Sequence, residues 1–116
     1  MWFEELPIQC PPEDAIIPSN EPYYRLINNE NNPIVDMISQ RYEYPKKIFP
    51  IDECTCMSVS IFNNRNSCEA MLKFPRHQHK KVYEFSLSEA DGRLKQSFKP
   101  NHFSWWRSAN FALKNE

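Results

Sequence analysis

Glycine is almost missing from this chain of 116 residues: it occurs once, whereas proline occurs ten times. Phosphate-binding loops such as G-x-G-x-x-G and the Walker loop need several glycines, so mononucleotide binding through those motifs is excluded. Most turns must also form without the residue that enters positive φ freely. The eleven asparagines are the expected substitutes, because asparagine tolerates the left-handed region.

An excess of one charge and long apolar segments are also lacking. Lys and Arg number 14 against 15 Asp and Glu, and a net charge of -1 creates no field that attracts polyanions or anionic membranes. No apolar run approaches the roughly 20 residues of a membrane helix. Residues 1–7 carry Glu4 and Glu5 instead of a positively charged leader. We therefore expect a soluble, cytoplasmic protein that binds neither membranes nor nucleic acid at large.

Ten prolines and the apolar pattern divide the chain into an arm and a core. Four prolines fall within residues 1–21 and fix φ there, which predicts an extended arm. Residues 22–113 form the core of a single domain that spans 1–116, since the length fits one domain.

Strand and helix signals alternate along the core. Two-residue periods and turn residues predict strands, and helical spacing that ends at proline predicts helices. The predicted elements are a strand at 22–27, a helix from Asn32 to Pro45, a strand at 55–62, a helix from Ser67 to Pro75, a hairpin of 82–88 with 93–98, and an aromatic tail at 101–113. This order predicts an α+β fold: a mostly antiparallel sheet of four to five strands with two short helices and an extended Pro-rich N-terminal arm.

The Asp91-Gly92 pair is the clearest turn signal, because Asp-Gly suits hairpin positions with positive φ. A hairpin at this point pairs 82–88 antiparallel with 93–98. Register then places four large side chains on the core side of the sheet: Tyr83, Phe85, Leu94 and Phe98.

Two close pairs of metal-ligating residues occur, Cys54 with Cys56 and His77 with His79. Alternate residues of a strand share a face, so the four side chains can be arranged as a Cys2His2 zinc site. The spacing is less specific than C-x2-C, and the alternative is a half-buried strand cysteine beside a solvated basic loop. We expect no metal or other cofactor, and without a secretion signal the four cysteines do not imply disulfides.

Arg25 lies within an otherwise apolar strand, Tyr23 to Ile27, where an unpaired buried charge is costly. Its side chain either faces solvent or points into a cleft that receives an anion, for which its planar fork of donors is suited.

His102 precedes the adjacent pair Trp105 and Trp106. Either both indoles are packing residues, or one is a stacking surface for a base or sugar with His102 as its hydrogen-bonding or proton-transferring partner. Because Arg25 and His102 both need polar company, we expect them on the same side of the sheet, near one of these tryptophans, in a shared anion-binding cleft.

Several segments, taken in order, resemble a family of small bacterial proteins of uncharacterised function. The matching segments are Pro11 to Ala15, Tyr24 to Leu26, Ser39 to Arg41, Pro45 to Lys47, Glu53-Cys54, Met57 to Ser60 and His102 to Trp106. The family usually has glycine where this chain has Met57. The resemblance implies one intact domain.

A looser, architectural resemblance is to ADP-ribosyltransferase-like folds, which open with a strand carrying Tyr-Arg or Tyr-His. It implies that Arg25 and either Ser58 or Ser60 help to bind a nicotinamide dinucleotide, and NAD enters as a cofactor only under this alternative. Those enzymes usually have a glutamate on a late strand, where this chain has Gln96 or His102.

Two hypotheses about function follow, and whether the protein is an enzyme stays open. The first is a bacterial or phage interaction module, part of a defence or toxin-related system, whose arm and aromatic tail contact a protein partner. The second is a domain or enzyme that binds a nucleotide or an RNA end in one cleft. The candidate ligand-binding residues are Arg25, Ser58, Ser60, His102, Trp105 and Trp106.

Overall fold

A computed structural model describes residues 1–113, in which five strands form an antiparallel sheet. The strands are β1 (Glu21–Ile27), β2 (Val59–Phe62), β3 (Lys81–Leu87), β4 (Gly92–Gln96) and β5 (His102–Arg107). Their spatial order is β3-β1-β2-β5-β4. The predicted α+β class, with its antiparallel sheet, is confirmed.

The hairpin predicted around Asp91 and Gly92 is wrong. β3 pairs with β1, and β4 pairs with β5, so the two predicted partners lie at opposite edges of the sheet. In a flat sheet those edges are about 19 Å apart at the usual strand spacing. Only residues 88–91 connect β3 to β4, and they include a 3₁₀ turn at Glu89–Asp91. The sheet must therefore curl until its two edges approach each other.

Gly92 begins β4 with φ at +140°, in the region that favours glycine. An added Cβ would lie 2.0 Å from the carbonyl oxygen of Trp106, so the close approach of β4 to β5 also requires glycine. The Asp-Gly signal is therefore real, but it marks the entry of an edge strand.

Three short α-helices lie between the strands, where the sequence predicts two: α1 (Gln40–Glu43), α2 (Glu53–Cys56) and α3 (Arg65–Glu69). The prediction of one long helix from Asn32 to Pro45 is wrong. A 3₁₀ turn at Pro33–Asp36 stops because the Asp36 carboxylate accepts hydrogen bonds from the backbone of Asn28 and Asn29. The helix predicted from Ser67 begins earlier, at Arg65, where Asn64 caps it, and continues as a 3₁₀ turn at Ala70–Lys73.

The strand predicted over 55–62 is confirmed only from Val59 onward. Before it, the Asp52 side chain accepts hydrogen bonds from the backbone and the hydroxyl of Thr55, at 3.1 and 2.8 Å. This cap starts α2, so Cys54 and Cys56 lie on a helix and do not share a strand face.

One face of the sheet carries the hydrophobic core. The fully buried residues Trp105, Leu87 and Leu94 lie in this core with Phe85 and Phe111. Of the four side chains expected on the core side, Phe85 and Leu94 are buried, and Tyr83 packs against the core. The prediction for Phe98 is wrong, because this residue lies beyond β4 and is 65% exposed.

The N-terminal arm crosses the sheet's β4 edge and reaches the end of β5. Ile16 pairs with Leu94, and Trp2 pairs with Ser108. Between these contacts a disulfide joins Cys10 to Cys54, with a Cα–Cα distance of 5.6 Å. The sequence did not imply this disulfide, which forms because the arm brings Cys10 against the start of α2. Residues 1–113 contain no helix with the length and hydrophobicity that a bilayer crossing requires.

Candidate functional site

A pocket of about 280 Å³ opens on the face of the sheet opposite the core. It lies between the end of β2, the turn that follows α3, and the loop that leads into β5. Its lining residues are Phe62, Ser67, Ala70, Met71, Lys73, Phe74, Lys99, Pro100, Asn101 and His102. Apolar walls with a few polar groups are the usual composition of a small-molecule site.

Two aromatic rings lie against His102, one of the residues that line this pocket. Phe62 meets His102 edge to face at 5.2 Å, and Phe98 lies 5.3 Å from the same imidazole, both measured between ring centroids. Phe98 is 65% exposed and has φ at +66°, a left-handed conformation that is strained for a bulky residue. Strained backbone of this kind concentrates at functional sites.

Positive charge gathers on the same side. Between residues 65 and 81, five Lys or Arg residues stand against one carboxylate, Glu69. Lys73 and Arg76 both lie over the Phe74 ring, at 5.4 and 5.5 Å from its centroid. Lys73 and Lys99 line the pocket itself. Although the net charge of the whole chain is close to zero, the region beside this aromatic-lined pocket is basic.

His102 lines the pocket, and serines hold its imidazole. Its Nε2 bonds the hydroxyl of Ser60, and its Nδ1 lies 3.1 Å from both the carbonyl oxygen and the hydroxyl of Ser97. The Ser97 hydroxyl in turn bonds Ser104 at 2.8 Å. The register of β2 and β5 produces this group, because Ser60 pairs with Ser104, and His102 is two residues along on the same face.

Burial lowers the pKa of His102 below its ordinary value, and the charges of Lys99 and Arg25 act in the same direction, while the bond to Ser97 opposes them. The imidazole is therefore neutral near pH 7. A carbonyl oxygen only accepts, so Nδ1 carries the proton toward Ser97, and Nε2 is left to accept the hydroxyl proton of Ser60.

Arg25 does not share this side of the sheet, so the expectation that it lies with His102 is wrong. Tyr24 pairs with Phe62, and Phe62 pairs with His102, so these three share one face and Arg25 starts on the other. β1 and β2 pair at this single position and then separate. The Arg25 guanidinium fills the gap and donates to the carbonyl oxygens of Ser60, Asp36 and Ile38, at 2.7, 2.8 and 3.3 Å.

The remaining predicted site residues take part in packing and capping. Ser58 is buried and donates to the carbonyl of Thr55 at 2.7 Å, at the end of α2. Trp105 and Trp106 are 0% and 1% exposed, and their indoles donate to the carbonyls of Asp91 and Cys54. Both rings are enclosed, so neither offers the stacking surface that the sequence suggested. The large aromatic residues of the tail are likewise buried or partly buried.

The four weak metal candidates are not brought together. Cys54 is bonded to Cys10, and Cys56 is buried on α2. His77 accepts a hydrogen bond from Arg76, and His79 bonds the side chain of Asn28. Within residues 1–113 no group of three or more His, Cys, Asp or Glu side chains is arranged to hold a metal ion.

Comparison with protein-family models, with curated proteins and with solved structures finds no match to this chain. The two resemblances described for the sequence therefore stay predictions. Function has to follow from the pocket and its chemistry.

Sequence reasoning named Ser60 and His102, but it missed Lys73, Phe98 and Lys99. The basic run at 73–81 was the available signal, since an aromatic residue interleaved with cations is typical of nucleic-acid contacts. A solvated loop has the same composition as a ligand-binding segment. Only the position of the basic run beside the β4–β5 connection distinguishes these two interpretations.

Proposed function

We propose that the pocket binds a nucleotide or the end of an RNA chain. The observation that carries this proposal is the exposed Phe98 ring beside a pocket lined by Lys73 and Lys99. A planar base needs a stacking surface, and a phosphate needs positive charge within a few ångströms. A pocket of about 280 Å³ suits one nucleotide and is too small for a duplex.

Stacking comes from rings that are already in place. Phe98 and Phe74 are 65% and 36% exposed, and base-aromatic stacking contributes roughly 1–3 kcal/mol per base. His102 holds the Phe98 ring from behind, with 5.3 Å between centroids. The ring is therefore supported on one side and open to a ligand on the other.

The phosphate contact comes from the two lysines of the pocket. No salt bridge among residues 1–113 involves Lys73 or Lys99, so neither ammonium group has a carboxylate partner to displace. An anionic ligand would supply the missing countercharge, and its binding would weaken with added salt.

A titration with AMP and with adenosine tests the proposal, because the two ligands differ only in the phosphate. Isothermal calorimetry and amide NMR should show AMP binding at least tenfold more tightly, with shifts at Phe98, Lys99 and His102. Lys99→Ala should remove most of that difference. Lys46→Ala, an exposed lysine outside the pocket, is the matched control. Equal affinities for AMP and adenosine, or no binding of either, would contradict the proposal.

We propose, as a second candidate function, that the protein binds a protein partner. The exposed residues of the N-terminal arm support this proposal. Ile16 and Ile17 are each 54% exposed along the β4 edge, and Ile8 is 94% exposed. A photo-crosslinker at position 17 should capture a defined protein in cells, whereas one at Ile48, 92% exposed but outside the arm, should not. Equal capture at both positions would count against the arm. We also propose that the protein is located in the cytoplasm.

A further inference from the structure

Ser60, His102 and the Ser97 carbonyl form a line of hydrogen bonds that reaches the pocket through His102. The Ser60 hydroxyl bonds Nε2 of His102, and Nδ1 lies 3.1 Å from the carbonyl oxygen of Ser97. A hydroxyl, a base and a group that orients the base are the three parts of an activated nucleophile. We propose that Ser60 is a nucleophile, with His102 as its general base, and that this pair hydrolyses carboxylic esters that enter the pocket.

Orientation of the base is the strongest support for this activity. The Ser97 carbonyl fixes the tautomer of His102, as a carboxylate does in a serine hydrolase triad, and directs the lone pair of Nε2 toward Ser60. A main-chain carbonyl is an orienting group without a charge, and so it does not raise the basicity of the imidazole as a carboxylate would. We therefore expect slow turnover, well below that of an enzyme with a complete triad.

The exposure of Ser60 and its position next to the pocket are the second support. Ser60 is partly exposed, whereas Ser58 and Ser104 are buried. Phe62, two residues along β2 on the same face, lines the pocket together with His102. Ser60 is therefore adjacent to two lining residues, Phe62 along β2 and His102 through its hydrogen bond.

The reaction balances with water as the only co-reactant. The Ser60 Oγ adds to the ester carbonyl carbon while its proton passes to Nε2 of His102. The tetrahedral oxyanion collapses, the carbon–oxygen bond to the alcohol breaks, and His102 returns the proton to the leaving alkoxide. Water then attacks the acyl-serine while His102 takes its proton. The bond between the acyl carbon and Ser60 Oγ breaks, His102 returns the proton to Oγ, and the carboxylic acid leaves. Lys73 and Lys99 line the same pocket and are its positively charged groups available to stabilise an oxyanion.

The inference rests on the proposed function in one respect, namely that the same pocket receives the substrate. A purely structural role for the serine network predicts the same hydrogen bonds without any turnover. The two explanations differ in what Ser60→Ala does to a protein that stays folded.

Hydrolysis of 4-nitrophenyl acetate by the full chain is the first test. We expect a rate above buffer that falls at least 100-fold in Ser60→Ala, while Ser86→Ala, a partly buried strand serine of β3, keeps the wild-type rate. His102→Asn should lose the rate as well. In the wild type the rate should rise with pH along a curve whose midpoint lies below 6.5, because burial lowers the pKa of His102. Thermal unfolding of each variant shows that the protein is folded.

Covalent labelling is the second test. A fluorophosphonate probe should add once to the wild type, and peptide mass spectrometry should locate it on Ser60. Labelling of another serine, or neither labelling nor turnover in folded wild type, would overturn the proposal. AMP binding by Ser60→Ala keeps the two proposals separate: AMP binding without turnover in the wild type refutes the hydrolase alone, and turnover without AMP binding refutes the nucleotide ligand alone.

Discussion

Arg25 and His102 contact the same residue through different atoms: Arg25 donates to the carbonyl oxygen of Ser60, and His102 bonds its hydroxyl. They lie on opposite faces of the sheet, so Ser60 connects them through the plane of β2. One guanidinium therefore holds the main chain of the residue whose side chain faces the candidate site.

Arg25→Ala should destabilise the protein by about 3 kcal/mol, because it leaves three main-chain carbonyls without their charged donor. Urea unfolding measures the loss. Arg25→Lys should recover only part of it, since one ammonium cannot reach three carbonyls in the geometry of a planar fork. A loss below about 0.5 kcal/mol, typical of a surface change, would show that Arg25 is not structural.

Phe98→Gly should separate stability from binding. Glycine relieves the positive φ of 66°, so the free energy of unfolding should stay level or rise, whereas AMP affinity should fall about tenfold with the loss of the stacking ring. Phe98→Ala loses the ring and keeps the strain, and so it should be the less stable of the two. If both variants bind AMP as the wild type does, Phe98 does not contact the ligand.

Removal of the Cys10–Cys54 disulfide should cost about 4 kcal/mol, the loop-closure value for cysteines 44 residues apart. Cys10→Ser with Cys54→Ser should match reduced wild type in urea unfolding. Thiol titration of unreduced, unfolded protein should find two thiols, Cys56 and Cys68. In the native state both should be unreactive, since burial raises the pKa of Cys68 to about 12. Four thiols before reduction would contradict the pairing.

Stability should fall as the pH drops below about 6.5. Burial lowers the pKa of His102 and of His77 in the folded state, so the unfolded chain binds more protons between the folded pKa values and 6.5. Stability therefore rises with pH through this window and is lost as pH falls through it. Unfolding in urea from pH 5 to 7.5 should show this slope, and His102→Asn should reduce it. An unchanged slope would mean that His102 titrates normally.

Gly92→Ala should destabilise by more than about 2 kcal/mol, since a Cβ would meet the Trp106 carbonyl at 2.0 Å on a backbone with φ of +140°. Ala90→Ser, exposed in the same turn, should stay within about 0.5 kcal/mol. Soluble yield and urea midpoints provide the comparison. A Gly92→Ala variant as stable as wild type would show that β4 has freedom to move away from β5.

Local patterns predicted the parts of the fold that local physics decides. The strand at Glu21–Ile27 and the buried Trp105 and Trp106 follow from apolar periodicity and aromatic content. Strand partners depend on distant segments. Asp91-Gly92 gives the same signal for a hairpin and for an edge-strand entry, and only the pairing of β4 with β5 decides between them.

For the candidate site too, the sequence predicted individual residues but not the contacts between them. His102 and Ser60 stood out as polar groups in apolar strands, and their meeting depends on the β2–β5 register, which one sequence does not determine. Arg25 was expected to bind an anion because its true partners, three main-chain carbonyls, leave no trace in the identity of any side chain.

Several partners of the arm lie more than 70 residues later in the sequence, and the ribosome makes them well after the arm. Phe3 donates to the carbonyl of Arg107 at 3.0 Å, and Ile16 exchanges backbone hydrogen bonds with Leu94 at 2.7 and 2.9 Å. While residues 1–90 alone have been translated, every one of these contacts is impossible. A nascent chain stalled at that length therefore lacks the two strand contacts of the arm, although Cys54, the partner of Cys10, has already been made. Protection of Ile16 during synthesis should begin only after Leu94 has left the exit tunnel.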